Sequence, residues 1–115
     1  MTNRKSWARD ALISLLLAAG YMLIFAYNNT PLGAAIGSDN AMYLTMGTAL
    51  AKGYAPYTEI FDHKGPLLFL LQLLPQAVSG GYSLTAVFIQ ETLVLFACLM
   101  MMRAIAKELD VCPWA

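Results

Sequence analysis

Three apolar runs divide the chain, at about 11–27, 66–79 and 84–102, and a mixed segment from 28 to 65 separates the first two. The first run, Ala11 to Tyr27, holds about 17 residues, or roughly 26 Å at helical rise, close to the thickness of a bilayer's hydrocarbon core. It predicts a crossing helix. The second begins at Pro66, which suits a first helical turn because its missing donor costs nothing there, and is limited by Pro75 and Gly80-Gly81. At about 14 residues, roughly 21 Å, it must kink, thin the bilayer or shelter among other helices if it crosses. The third, Leu84 to Met102, has about 19 residues and the length of a full crossing, with Gln90 and Glu91 near its middle.

The segment from 28 to 65 is too long and too periodic to be a bare connector. Ser38 or Asp39 can cap a helix over 39–52 in which Met42, Tyr43, Met46 and Leu50 recur at three- and four-residue spacings, with Thr45, Thr48 and Lys52 on the other side. Gly53 suits a left-handed stop. Such a sided helix, roughly 20 Å long, lies along the outer membrane surface or packs on other protein. Tyr54-Ala55-Pro56-Tyr57 then pairs two aromatics of headgroup type with a proline that discourages helix. The predicted architecture is therefore all-α and membrane-embedded, with about three transmembrane helices and an interfacial helix in the first outer loop.

Composition supports that environment. Of 115 residues, 59% are hydrophobic and only 12% charged, and the mean hydropathy is +0.59. The formal net charge of zero offers no basic footprint for nucleic acid. Arg4, Lys5 and Arg9 precede the first apolar run and no cation follows until Lys52, which puts the amino terminus in the cytoplasm and loop 28–65 outside. A cleaved signal peptide fits less well, because the run exceeds the usual ~7–15 residues and its small triplet Ala18-Ala19-Gly20 falls mid-run. Three crossings would place Arg103 and Lys107 outside, against the positive-inside tendency; a re-entrant second segment would return them to the cytoplasm. Cys98 and Cys112 match neither a disulfide framework nor a metal-ligand spacing.

The chemistry-bearing residues gather in the outer loop. Asp39, in a first helical turn, sits well against the positive end of the helix dipole and can accept a proton or hold a metal. Asp62-His63-Lys64-Gly65-Pro66 sets the chain's single His and two charges at the mouth of an apolar run. Moving a sugar from a lipid phosphate needs a base for the acceptor hydroxyl and a cation for the departing phosphate, which Asp39 and Lys64 could supply. Glu59, Asp62 and His63 could orient substrate or bind a divalent metal; otherwise Asp62 is a helix cap and His63 and Lys64 are interface residues. Glu91, costing ~2.5–3.5 kcal/mol as a mid-membrane carboxylate, requires a protein partner, either an interhelical hydrogen bond or a polar contact near a substrate path.

Taken together, Ser38-Asp39-Asn40 with Tyr43, Gly53-Tyr54-Ala55-Pro56-Tyr57, and Asp62-His63-Lys64-Gly65-Pro66-Leu67 after a first apolar helix resemble the GT-C membrane glycosyltransferases. The likeness, over nearly the whole chain, is to the bacterial branch similar to protein O-mannosyltransferases and aminoarabinose transferases. It implies inverting transfer from a polyprenyl-phosphate-linked sugar in the bacterial inner membrane, with Asp39 as base. Lys64 would contact the lipid phosphate, and Tyr57, Glu59, Asp62 and His63 would line the substrate site. Two features depart from the family: Asn40 stands where a second acid often follows, and family members have eight or more spanning helices. The chain is thus expected to be an amino-terminal portion, inactive without further membrane helices. Two other classes fit the same residues, a small helical membrane subunit held by Gln90 and Glu91 and a transporter fragment with an outer binding loop.

Overall fold

The computed structural model describes residues 4–26, 30, 32, 37–61, 63, 65–109 and 111. Four helices follow one another: α1 (Arg4–Phe25), α2 (Ser38–Ala51), α3 (Pro66–Ser79) and α4 (Leu84–Glu108). They form two compact units, one of Met1–Phe25 with Glu91–Ala115 and one of Ala26–Gln90.

In the first unit, α1 starts well before the apolar run, because nothing in Arg4 to Asp10 breaks a helix and the polar turns simply extend it. Likewise α4 continues past Met102 to Glu108, for 25 residues in all, which moves Glu91 from the helix middle into its first third. Asp10 accepts a hydrogen bond from Arg103 and a second contact, at 3.2 Å, from Arg9 Nε. The start of α1 and the end of α4 are therefore neighbours, and α4 runs back toward the start of α1. Asp10 opens a stripe that recurs every fourth residue, Ser14, Ala18 and Met22, all buried. The other faces of α1 and α4 expose Leu12, Leu16, Ile24, Leu93, Met102 and further large apolar side chains.

In the second unit, α2 packs on α3. Leu44, Met46 and Gly47 are buried on α2, and Phe69, Gln72, Pro75 and Gln76 on α3. Gly47 is the point of closest approach, since a Cβ there would lie 2.6 Å from the Gln72 carbonyl oxygen. Lys52 and Gly80 border a shared cleft beyond it, so the two helices run in the same direction. The contact face of α2 is rotated from the expected apolar side: Met46 belongs to it, but Leu44 and Gly47 were not signalled by periodicity. Packing on α3 decides the face, which favours the protein-packed alternative for this helix.

The stops follow local rules. Gly53, at φ 90°, and Tyr54 close α2 by donating to Leu50 O (2.9 Å) and Ala49 O (3.1 Å). Gly80, at φ 73°, and Gly81 close α3 the same way on Ala77 and Gln76. The cap of α2 is the extended residue Gly37, with no side-chain cap bond, rather than Ser38 or Asp39. Pro75 stays inside α3 without ending it. Ser83 then caps α4, its Oγ accepting from Ala86 N–H (3.2 Å) while its own N–H donates to Gln76 Oε1 (2.9 Å).

The structure does not support the expected count of three crossings. Among the described residues two helices, Ser6–Phe25 and Leu84–Glu108, are long and apolar enough to cross a membrane. α3, at 14 residues, is not, because roughly 21 Å falls short of the ~30 Å core.

Candidate functional site

Asp39 lies exposed in the first turn of α2. It stands about two turns before Gly47, and Gly65, the cap of α3, stands about two turns before Gln72. Because Gly47 meets Gln72 and the helices are parallel, the end of the pair that carries Asp39 is also the end that carries Gly65. His63, exposed, precedes that cap by two positions. Two helix amino termini thus open at one end of the pair, where their aligned N–H groups favour negative charge. Asp62 and Lys64 lie outside the described residues.

Tyr57 and Glu59 belong to the connection between α2 and α3, and both serve to shape it. The Glu59 carboxylate accepts from Ala55 N–H at 2.6 Å, and Glu59 N–H returns a bond to Ala55 O at 3.1 Å. Tyr57 adopts φ 65°, the one non-glycine with positive φ among the described residues, a conformation that costs a non-glycine residue free energy. Its N–H donates to Ile60 O at 2.6 Å, and its ring sits 6.1 Å from Phe69 and 6.4 Å from Phe61. Phe69 is 1% exposed, so Tyr57 ties the loop to the α2–α3 core. Tyr57 and Glu59, proposed from sequence as substrate contacts, are fixed by internal contacts of this turn.

The opposite end of the pair holds a cleft of about 240 Å³ lined by Thr45, Thr48, Ala49, Lys52, Tyr54 and Tyr82. Thr45 and Thr48 spend their hydroxyl protons on Ala41 O and Leu44 O, both at 2.8 Å. The periodicity had placed Thr45, Thr48 and Lys52 on one side of the helix; nothing in it brought Tyr82 from the α3–α4 turn to join them. About thirteen residues of helix, roughly 20 Å, separate Lys52 from Asp39, so the two cannot share one reacting centre.

Among the described residues, no three of His, Cys, Asp and Glu form a metal-ligand group. Cys98 is a free thiol exposed on α4, and Cys112 lies outside the described residues. Glu91 is half-buried. Comparison with protein-family models, with curated proteins and with solved structures finds no match to this chain.

Proposed function

We propose that this chain is a bacterial inner-membrane protein that forms the amino-terminal part of a GT-C type glycosyltransferase. α1 and α4 are its crossing helices in this reading, and segment 26–83 faces the outside. Charged groups support the orientation: the contact of Asp10 with Arg103 groups Arg103 and Lys107 with Arg4, Lys5 and Arg9, so two crossings satisfy the positive-inside tendency that three would violate.

The observation that carries the catalytic reading is the parallel α2–α3 pair, which brings Asp39 to the same end as His63 and the start of α3. In the reaction, Asp39 takes the proton of the acceptor hydroxyl as that oxygen attacks the anomeric carbon. The bond from that carbon to the phosphate oxygen breaks with inversion, and the polyprenyl phosphate leaves with its electron pair. The convergent helix termini and Lys64 stabilise the phosphate as it departs. Further membrane helices complete the site, as the family resemblance implies.

Asp39→Asn and Lys64→Ala, made in the complete transferase in its own membrane, are expected to lower sugar transfer by about 10²–10⁴-fold while insertion is unchanged. Normal transfer by both variants refutes the assignment. Loss of assembly in Glu91→Leu with indifference to Asp39 would point instead to a helical membrane subunit.

A further inference from the structure

The carboxyl-terminal end of the α2–α3 pair holds groups that the proposed reaction does not use. Beside the cleft of about 240 Å³ lies a second space of about 130 Å³, bordered by Ala51, Lys52, Gln76, Gly80 and Gly81. Thr48 and Lys52 line both, and every lining residue belongs to the unit Ala26–Gln90. Two donors there lack partners. Lys52 is exposed and forms no ion pair among the described residues. Gln76 is 0% exposed, and its Oε1 accepts from Ser83 N–H at 2.9 Å, which fixes which way round the amide lies. The other end of that amide, Nε2, has no hydrogen-bond partner among the described residues. A buried donor of this kind calls for an acceptor.

The chemistry of the walls selects the ligand. Lys52 and Gln76 Nε2 only donate, whereas Thr45 and Thr48, their protons given to Ala41 O and Leu44 O, can only accept. The last carbonyls of α2 and α3 add negative partial charge at this end. A cation would meet Lys52; an anion would meet the threonine oxygens and two helix carboxyl termini. A neutral molecule rich in hydroxyl groups answers both, since each hydroxyl accepts and donates. Tyr54 and Tyr82, both half exposed, add two rings with polar tips to the walls. Neither space reaches the ~300–1,000 Å³ of sites for drug-sized ligands, so a small ligand is the match.

We propose that this cleft is a second, non-catalytic site that holds one neutral sugar ring, with Lys52 and Gln76 donating to its hydroxyls, Thr48 accepting from them, and Tyr54 and Tyr82 flanking it. Roughly 20 Å of helix separates it from Asp39, so the ring held here is not the one undergoing chemistry. The inference is independent of glycosyl transfer: it holds equally for a helical subunit or for the outer loop of a transporter.

Fluorine NMR of the full chain labelled with 3-fluorotyrosine tests it, in phosphatidylcholine nanodiscs free of glycoside detergents. The resonances of positions 54 and 82 are assigned by their loss in Tyr54→Phe and Tyr82→Phe, and Tyr21 on α1 serves as the control. Methyl glycosides of glucose, galactose and mannose are titrated through the millimolar range. At least one should shift positions 54 and 82 saturably and leave Tyr21 unmoved. Thr48→Val keeps the side chain's shape and removes an acceptor, and should weaken that binding by ~2–10-fold; Lys52→Met should weaken it by ~10-fold or more. Saturable binding of acetate or inorganic phosphate in place of the glycosides, insensitive to Thr48→Val, overturns the proposal, because the site then reads charge alone. Absence of any saturable shift at 54 and 82 also overturns it, as does glycoside binding that both variants leave unchanged, since the ring then sits elsewhere. None of these readouts depends on Asp39 or on sugar transfer, so this proposal and the transferase reading fail separately.

Discussion

Gly47→Ala tests the contact that organises the second unit. A Cβ at this position would stand 2.6 Å from the Gln72 carbonyl oxygen, 2.7 Å from its carbon and 2.9 Å from its Cβ. These are mostly backbone atoms, so no rotamer change relieves the clash and α2 must retreat from α3. A retreat of about 0.5–1 Å forfeits a quarter to a half of the dispersion energy at the contact, and overpacking of this kind costs about 1–3 kcal/mol. Against it stands the gain of about 1 kcal/mol for replacing a mid-helix glycine by alanine. The net loss is about 0–2 kcal/mol. Gly20→Ala in α1 isolates the steric part, because it brings the same propensity gain with nothing within 4 Å of the new Cβ. Hydrogen exchange followed by mass spectrometry in lipid nanodiscs reads both variants. Amides of α2 and α3 should exchange up to about 30-fold faster in Gly47→Ala, whereas α1 in Gly20→Ala should exchange about 5-fold more slowly than in the wild type. If Gly47→Ala slows exchange in α2 and α3 by the full propensity gain, about 5-fold, the close approach of Gly47 to the Gln72 backbone is wrong.

Two other contacts give measurable expectations. Arg103→Ala leaves Asp10, whose side chain is 11% exposed, with Arg9 alone, and should cost about 1–3 kcal/mol. A double-mutant cycle with Asp10→Ala in detergent unfolding should return a coupling of about 0.5–3 kcal/mol, and a coupling of zero removes the evidence that α4 returns to the start of α1. Ser83→Ala deletes the acceptor for Ala86 N–H and should destabilise the first turn of α4 by about 0.5–2 kcal/mol, seen as faster exchange confined to residues near 84–88. Ser83→Asp should restore protection, and failure of both effects means the turn is held by Gln76 alone.

The helix positions were largely legible because their signals are local. Pro66 starts α3 at the expected residue, Gly53 and Gly80 stop α2 and α3 through left-handed backbone, and the apolar runs mark α1 and α4. Apolarity marked the runs but not where each helix ended, so α1 and α4 gained polar turns at Arg4 and Glu108. Within the candidate site, Asp39 could be placed in a first helical turn from its neighbours alone. Its companionship with the start of α3 could not, because the link between residues 52 and 65 permits either direction of packing. Tyr57 and Glu59 had the residue types of substrate contacts; their commitment to the turn depends on Ala55, Ile60 and Phe69, which only folding brings near.

Periodicity and punctuation in the chain determined where helices form, since those properties depend on residues a few positions apart. Tertiary structure alone decided that Gly47 admits the backbone of α3, that Arg103 returns to Asp10, and that α3 rather than α2 presents an uncovered aliphatic stripe. The need for a glycine at position 47 is set by a carbonyl of another helix, and no pattern within α2 carries the shape of its neighbour.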